Sequence, residues 1–327
     1  MLTNYGAWAL AIVLAAPVAA GARTSHPDDH DAQDRKGDQQ TVEAPVQVRS
    51  FNVGANGSLK LANVAGDVKV TGGAGTEIKV EARIHGKGKT EADARAQFDS
   101  VKVDMRQNGN RVDVETTHQR NSRAWVDYTV VVPNGASIDV RTVSGDVFVS
   151  DVAGSARAET VSGDVVATGL GQVAALRSVS GDVQGTGLSS DGAVTFNSVS
   201  GDITIKNLKA KSATFETVSG TARVDTCDCG GAQSSSVSGD VVYTGTLVKG
   251  GRYVFTSHSG DISLMTSSGF ELDAATFSGD IRVDGLTGQG DTDRPGPGRT
   301  RRGTVGGGGA VVEAKTFSGD LRVNRPR

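Results

Sequence analysis

The sequence predicts an all-β protein, a single-chain β-solenoid with about 18–21 residues per coil and one short helix in its N-terminal part. Three observations lead there. The first is a triplet written nine times, as Ser144-Gly145-Asp146, Ser162-Gly163-Asp164, Ser180-Gly181-Asp182, Ser200-Gly201-Asp202, Ser219-Gly220-Thr221, Ser238-Gly239-Asp240, Ser259-Gly260-Asp261, Ser278-Gly279-Asp280 and Ser318-Gly319-Asp320. Self-similarity at a period near twenty marks units that cannot bury their apolar side alone and must stack on one another. The second is apolar alternation of period two on either side of each triplet, as in Val147 and Val149 or Ile203 and Ile205, which is a strand signal. The third is composition: 44 glycines and 5% aromatics in 327 residues fit many tight turns around a thin core of small side chains.

Taken in order, residues 1–22 read as a signal peptide. Ala7 to Ala16 is apolar, Pro17 follows, and Ala19, Ala20 and Ala22 supply small residues for cleavage. No Lys or Arg precedes Trp8, so an uncleaved anchor stays open, and no Cys stands near to take a lipid. The stretch is short for a membrane span, and no transmembrane segment is expected beyond it. Residues 23–45 are polar and read as a disordered linker; His26, Asp28, Asp29, His30 and Asp31 lie close together there and could chelate a metal weakly, but a solvated linker is the better reading.

Residues 46–133 read as an irregular β part of the solenoid. Leu59, Leu61, Ala65-Gly66-Asp67, Val68 and Val70 match the later coils column by column, 79 residues or about four repeats before Ser144. Thr90-Glu91-Ala92-Asp93 looks like a capping box opening a helix to about Phe98. Strands are expected at Val101 to Met105, Arg111 to Thr116 and Trp125 to Val132, the first two joined around Asn108-Gly109-Asn110.

Residues 134–327 read as the regular solenoid, consecutive coils lying in register. Residues four and six before each serine are mostly apolar; those immediately before it, Val143, Val161, Val179, Val199, Val218, Val237, His258, Phe277 and Phe317, have the wrong parity for the same face. A corner therefore lies nearby. Two before each serine stands a hydroxyl, from Thr142 and Thr160 to Thr316, and the chain could turn at that hydroxyl or at the glycine. Steps between serines run 18 to 21 until one of 40, which reads as a surface loop inserted at 287–309 with Pro295, Pro297, Arg299, Arg301 and Arg302.

Chemistry is sparse. Stacked about 4.8 Å apart, the aspartates would repel by roughly 0.9 kcal/mol per neighbouring pair even at the dielectric of water. They are read as turn residues accepting backbone N–H bonds, with a calcium ladder as the other reading. His258, among Ser257, Ser259 and Asp261, reads as filling a core or corner slot, because its column is otherwise Val or Phe; neighbours on a strand also point to opposite faces and cannot pair as nucleophile and base. Cys227 and Cys229 are candidates for a local disulfide, with free thiols or half a zinc site as alternatives. A net charge of −3 and no basic–aromatic interleaving exclude a nucleic-acid footprint. No catalytic residues, cofactor or metal are assigned.

The Tyr128-to-Pro133 strand and the Thr-Val-Ser-Gly-Asp-Val coils resemble those of the bacterial putative-adhesin family of β-strand repeat proteins, a family of unknown biochemical function, over about 46–327. The resemblance implies a β-solenoid in exported, periplasmic or envelope-associated proteins. The expected role is non-catalytic: a binding or structural surface for an envelope, glycan or protein ligand, with ligand and oligomeric state left open. A polysaccharide-acting β-helix enzyme and a calcium-stiffened spacer are the alternatives.

Overall fold

A computed structural model describes residues 39–287 and 298–325; the segment read as a signal and most of the linker, with its histidines and aspartates, lie outside them. Each regular coil is a strand, a tight corner and a second strand. We name coils by their corner glycine: the Gly145 coil is Ser137–Ser144 and Val147–Ser150, and the Gly163 coil is Ser155–Ser162 and Val165–Thr168. Neighbouring coils pair parallel and in register, so Val147 lies over Val165, Val183, Ile203, Ala222, Val241 and Ile262 in turn. Inward side chains alternate with outward ones along the coil strands, as in Ser137–Ser144, Ile203–Ser219 and Arg252–Ser259, as the pleat requires, with a register shift in Gln172–Ser180 that buries Ala175 and Leu176 side by side.

The core is a line of small apolar layers whose members compensate one another. Phe196 stacks on Phe215 with ring centroids 5.2 Å apart. In the Gly239 coil the large Tyr243 and the small Ser234 are both buried, which keeps the volume of that layer near its neighbours' and avoids the overpacking or cavity that either extreme would bring.

The coils do not all stack in the order in which they are written. Ala310–Ser318 pairs with Arg252–Ser259 on one side and with Phe270–Ser278 on the other, and Leu321–Asn324 lies likewise between Ile262–Met265 and Ile281–Val283. The chain thus lays down the Gly279 coil one place too far out and fills the vacancy with its final coil, Gly319. Between the two, Arg299–Val305 pairs antiparallel to Phe270–Ser278 and covers what would be the bare edge of the outermost coil. That differs from the expected loop at 287–309. The 40-residue step exists because the chain must cap its own end before it returns.

The N-terminal end has the same construction. The Gly66 coil, Ser58–Ala62 and Val68–Gly73, is sandwiched between the Gly145 coil and an outer coil made of Arg111–His118 and Ala124–Pro133. So 79 residues separate two touching coils, where the spacing had suggested about four repeats. The outer coil is covered by antiparallel strands, Val101–Asn108 on one part and Glu77–Gly88 on the other. Gln40–Glu43 and Gln47–Asn52 pair in turn with Glu77–Gly88, so part of the segment read as a linker, 23–45, is a strand. The helix Glu91–Ala96 forms where expected, Thr90 Oγ1 accepting from Asp93 N–H at 3.1 Å. Sequestering backbone edges at both ends is how β-structures avoid pairing with other chains.

Candidate functional site

The chain turns at the glycine. From Gly145 to Gly319 the corner glycines have φ between +129° and +159°, and a Cβ built on Gly181 would sit 2.1 Å from the carbonyl oxygen of Gly163. Conformation and space therefore both demand glycine. From Thr160 on, the hydroxyl two residues before the serine points inward and donates to the glycine carbonyl of the adjacent coil: Ser178 to Gly163 at 2.8 Å, Ser198 to Gly181 at 2.9 Å, Thr316 to Gly260 at 3.0 Å; Thr142 turns instead to the Ser144 carbonyl of its own coil. In the Gly66 coil Asn63 takes that place, and its amide reaches the carbonyls of Ala65, Gly66 and Val126.

The aspartates do accept backbone N–H bonds, but between coils. Asp146 Oδ1 accepts from Asp164 N–H, Asp164 from Asp182, and Asp182 from Asp202, each at 2.8 Å. Asp202 Oδ1 accepts from Thr221 N–H at 2.7 Å. These charge-assisted bonds offset the repulsion along the column. The line ends beside basic side chains. At one end Asp127 Oδ1 accepts from Asp67 N–H at 2.9 Å. His85 Nε2 lies 2.9 Å from the other Asp127 oxygen, though its N–H does not point along that line. At the other end Arg299 and Arg282 pair with Asp280, and Arg322 bridges Asp261 and Asp320. Asp127 and His85 carry no repeat signature, so only the fold brings them to the column. Among the described residues no group of three or more His, Cys, Asp or Glu side chains could hold a metal ion.

Outside these bonded columns run two lines that the protein itself does not use. All nine corner serines are exposed, and among the described residues none of their hydroxyls takes part in a hydrogen bond. Beside them the residues of wrong parity form an apolar stripe: Val143, Val161, Val199, Val218 and Val237 are about half exposed, as are Phe317 and Phe277. His258 belongs to this stripe and is exposed, not in a core slot; its ring stacks on Phe317, centroids 5.0 Å apart, and Phe317 on Phe277 at 4.7 Å. A shallow, mostly apolar groove of about 430 Å³ lies along the valine end, between the stripe and the charged side chains Arg141, Glu159 and Arg177.

Cys227 and Cys229 form a disulfide with Cα atoms 5.5 Å apart, both side chains buried. The closeness comes from Thr226, whose φ of +61° breaks the register between Asp225 and Cys227. Thr226 occupies a second corner, five residues after the aspartate column, where Asp151, Gly169, Gly187 and Asn207 also have positive φ. That column of Asp, Gly, Gly and Asn was a legible turn signal. Among the described residues no helix is long and apolar enough to cross a membrane.

The family model described as Toastrack DUF4097 matches residues 56–324. No curated protein matches the chain. Several solved structures are similar. One is a putative adhesin from Bacteroides fragilis NCTC 9343, at 12% identity and a TM-score of 0.42 over 86% of this chain and 97% of that one. A putative lipid binding protein from Parabacteroides distasonis ATCC 8503 gives the same identity, TM-score and coverage. A putative adhesin from Parabacteroides merdae ATCC 43184 matches at 8% identity and a TM-score of 0.36, over 86% of this chain and 96% of that one.

Proposed function

The chain belongs to the Toastrack DUF4097 family, and on that premise we propose that it is an exported, envelope-associated, non-catalytic binding protein. Its Ser-Gly-Asp edge is the contact strip. The observation that carries this reading is the line of nine exposed and unengaged serine hydroxyls, set one coil apart beside carboxylates already committed to backbone. A ligand of repeating chemistry, such as an envelope glycan, would meet the same weak contact at every coil, and linked weak contacts reach avidities no single one has. Nothing in that strip positions an acid, a base and a nucleophile around one point, which a hydrolase needs. Adhesion in this sense is a property of the row, not of a pocket.

The test is capture from envelope fractions and on a glycan array. The chain itself is compared with a variant carrying Ser162→Glu, Ser200→Glu and Ser238→Glu, three exposed positions whose change leaves the core untouched. Capture by the chain and its loss in the variant is the expected result. No enrichment, or equal enrichment by both, defeats the reading; turnover of a polysaccharide would replace it with an enzyme, and a melting midpoint raised by millimolar calcium would favour a stiffened spacer.

A further inference from the structure

We propose that the apolar stripe is a pairing surface between two copies of this chain, laid antiparallel so that the aromatic end of each fills the groove at the valine end of the other. The stripe is distinct from the serine strip, and the proposal does not depend on what the serines bind. Five valines and two phenylalanines about half out of water, with the exposed His258 and the partly exposed Val179, leave on the order of 700 Å² on one copy. That exceeds the 300–600 Å² patch of an ordinary monomer and approaches the roughly 800 Å² per partner of a standard interface. A second copy is also the partner certain to carry the same coil spacing, so every contact that fits at one coil fits at the next.

Antiparallel pairing is selected by size. In order along the stack the stripe reads Val143, Val161, Val179, Val199, Val218, Val237, His258, Phe317 and Phe277, because the Gly319 coil lies inside the Gly279 coil. With two copies overlapping in full about a two-fold axis at Val218, Phe277 lies over Val143, Phe317 over Val161 and His258 over Val179. Large faces small toward both ends, and at the centre valine faces valine, Val199 over Val237 and Val218 over its own copy. Parallel pairing would set three rings on three rings at one end and valine on valine at the other, splaying the faces.

Charge selects the same register. The two outward columns on the upstream side of the stripe contain Arg157 and Glu159 in the Gly163 coil and Glu313 and Lys315 in the Gly319 coil, each pair salt-bridged within its own chain. Full overlap places Arg157 opposite Glu313 and Glu159 opposite Lys315, and the two-fold axis repeats both. The same symmetry brings Glu216 against its own copy at the axis and Asp139 against Asp273 toward each end. Those like-charge contacts limit affinity and keep the pair in exchange with monomer.

Sedimentation equilibrium on the whole chain, loaded up to about 100 μM, decides it. A monomer–dimer equilibrium is expected. Val218→Asp, at an exposed position, should weaken it at least about tenfold with the melting midpoint unchanged, and Glu216→Gln should tighten it several-fold. Glu159→Lys alone and Lys315→Glu alone should each weaken it, and the double exchange should recover the original affinity to within about threefold. A chain that stays monomeric across the range while fully folded overturns the proposal, as does a dimer indifferent to Val218→Asp; failure of the double exchange to recover overturns the antiparallel register. A monomer that still binds envelope material through its serines would sink this inference and leave the proposed function standing.

Discussion

At the scale of the residue, one atom or one angle decides whether a coil closes. Gly181 has φ +146° and no room for a methyl group beside the Gly163 carbonyl. Gly181→Ala should therefore cost more than about 3 kcal/mol, strain and clash together, read as a fall in the denaturant midpoint; a loss under about 1 kcal/mol would mean that the corner can rearrange. Thr226 is the opposite case, a β-branched residue held at φ +61° where a left-handed backbone costs about 1–2 kcal/mol. Thr226→Gly should raise stability by about 1 kcal/mol in the same assay. Burial also fixes how the tyrosines respond to alkali. It pushes the Tyr128 hydroxyl from 10 up to about 12, partly opposed by its hydrogen bond to Thr116, and pushes those of Tyr243 and Tyr253 in the same direction. The unfolded chain gives up these protons above about pH 10 while the folded chain holds them. The stability they contribute is thus complete below pH 10 and is lost as pH rises through 12. A series of melts should be level from about pH 8 to 10 and fall beyond it, and a decline beginning near pH 8 would contradict the burial.

At the scale of the element, the corner works because three columns solve one another's problems. Glycine makes the bend, the inward hydroxyl satisfies the glycine carbonyl of the next coil, and the aspartate satisfies the N–H of the next aspartate. Thr221 shows that the column can lose a carboxylate at one coil. Asp164→Ala leaves the Asp182 N–H without its acceptor and should cost about 1–2 kcal/mol, while Asp164→Asn keeps an acceptor oxygen and should cost less than half of that. Equal losses for the two variants, in paired thermal melts, would show that negative charge and not hydrogen bonding sustains the ladder. The outward stripe follows from the same corner: the residue before the serine is left facing water by the parity of the strand, so valine there packs only against its own column.

At the scale of the whole molecule, the displaced coils at either end matter most. The Gly319 coil holds the Gly260 and Gly279 coils together from between, so the last strands laid down are the ones on which the C-terminal end depends. Pairings so distant in sequence are slow to form. Removing residues 310–327 should leave the Gly279 coil and its antiparallel cover with nothing to lie on. Amide exchange in Phe270–Ser278 should then become as fast as in an unfolded segment, while Ser155–Ser162 stays protected. Retained protection in Phe270–Ser278 would show that the two outer coils can close up without the inserted one.

What the sequence determined by itself is the coil: the period, the strand on each side of the triplet and the unbroken glycine column, because all of these are local consequences of backbone sterics and a two-residue pleat; that the chain turns at the glycine and leaves His258 facing outward came from the structure. The helix behind Thr90 and the hairpin at Asn108–Asn110 were legible for the same reason. Only the tertiary structure decided which coil lies on which. A repeat unit offers nearly the same edge to any other unit, so the periodicity that reveals the coils hides their order; that order is settled by where the antiparallel covers fall and which vacancy remains when the chain returns. From this come Asp127 and His85 at the end of the carboxylate line, and His258 stacked on Phe317 from the last coil of the sequence, contacts that no spacing along the chain could announce.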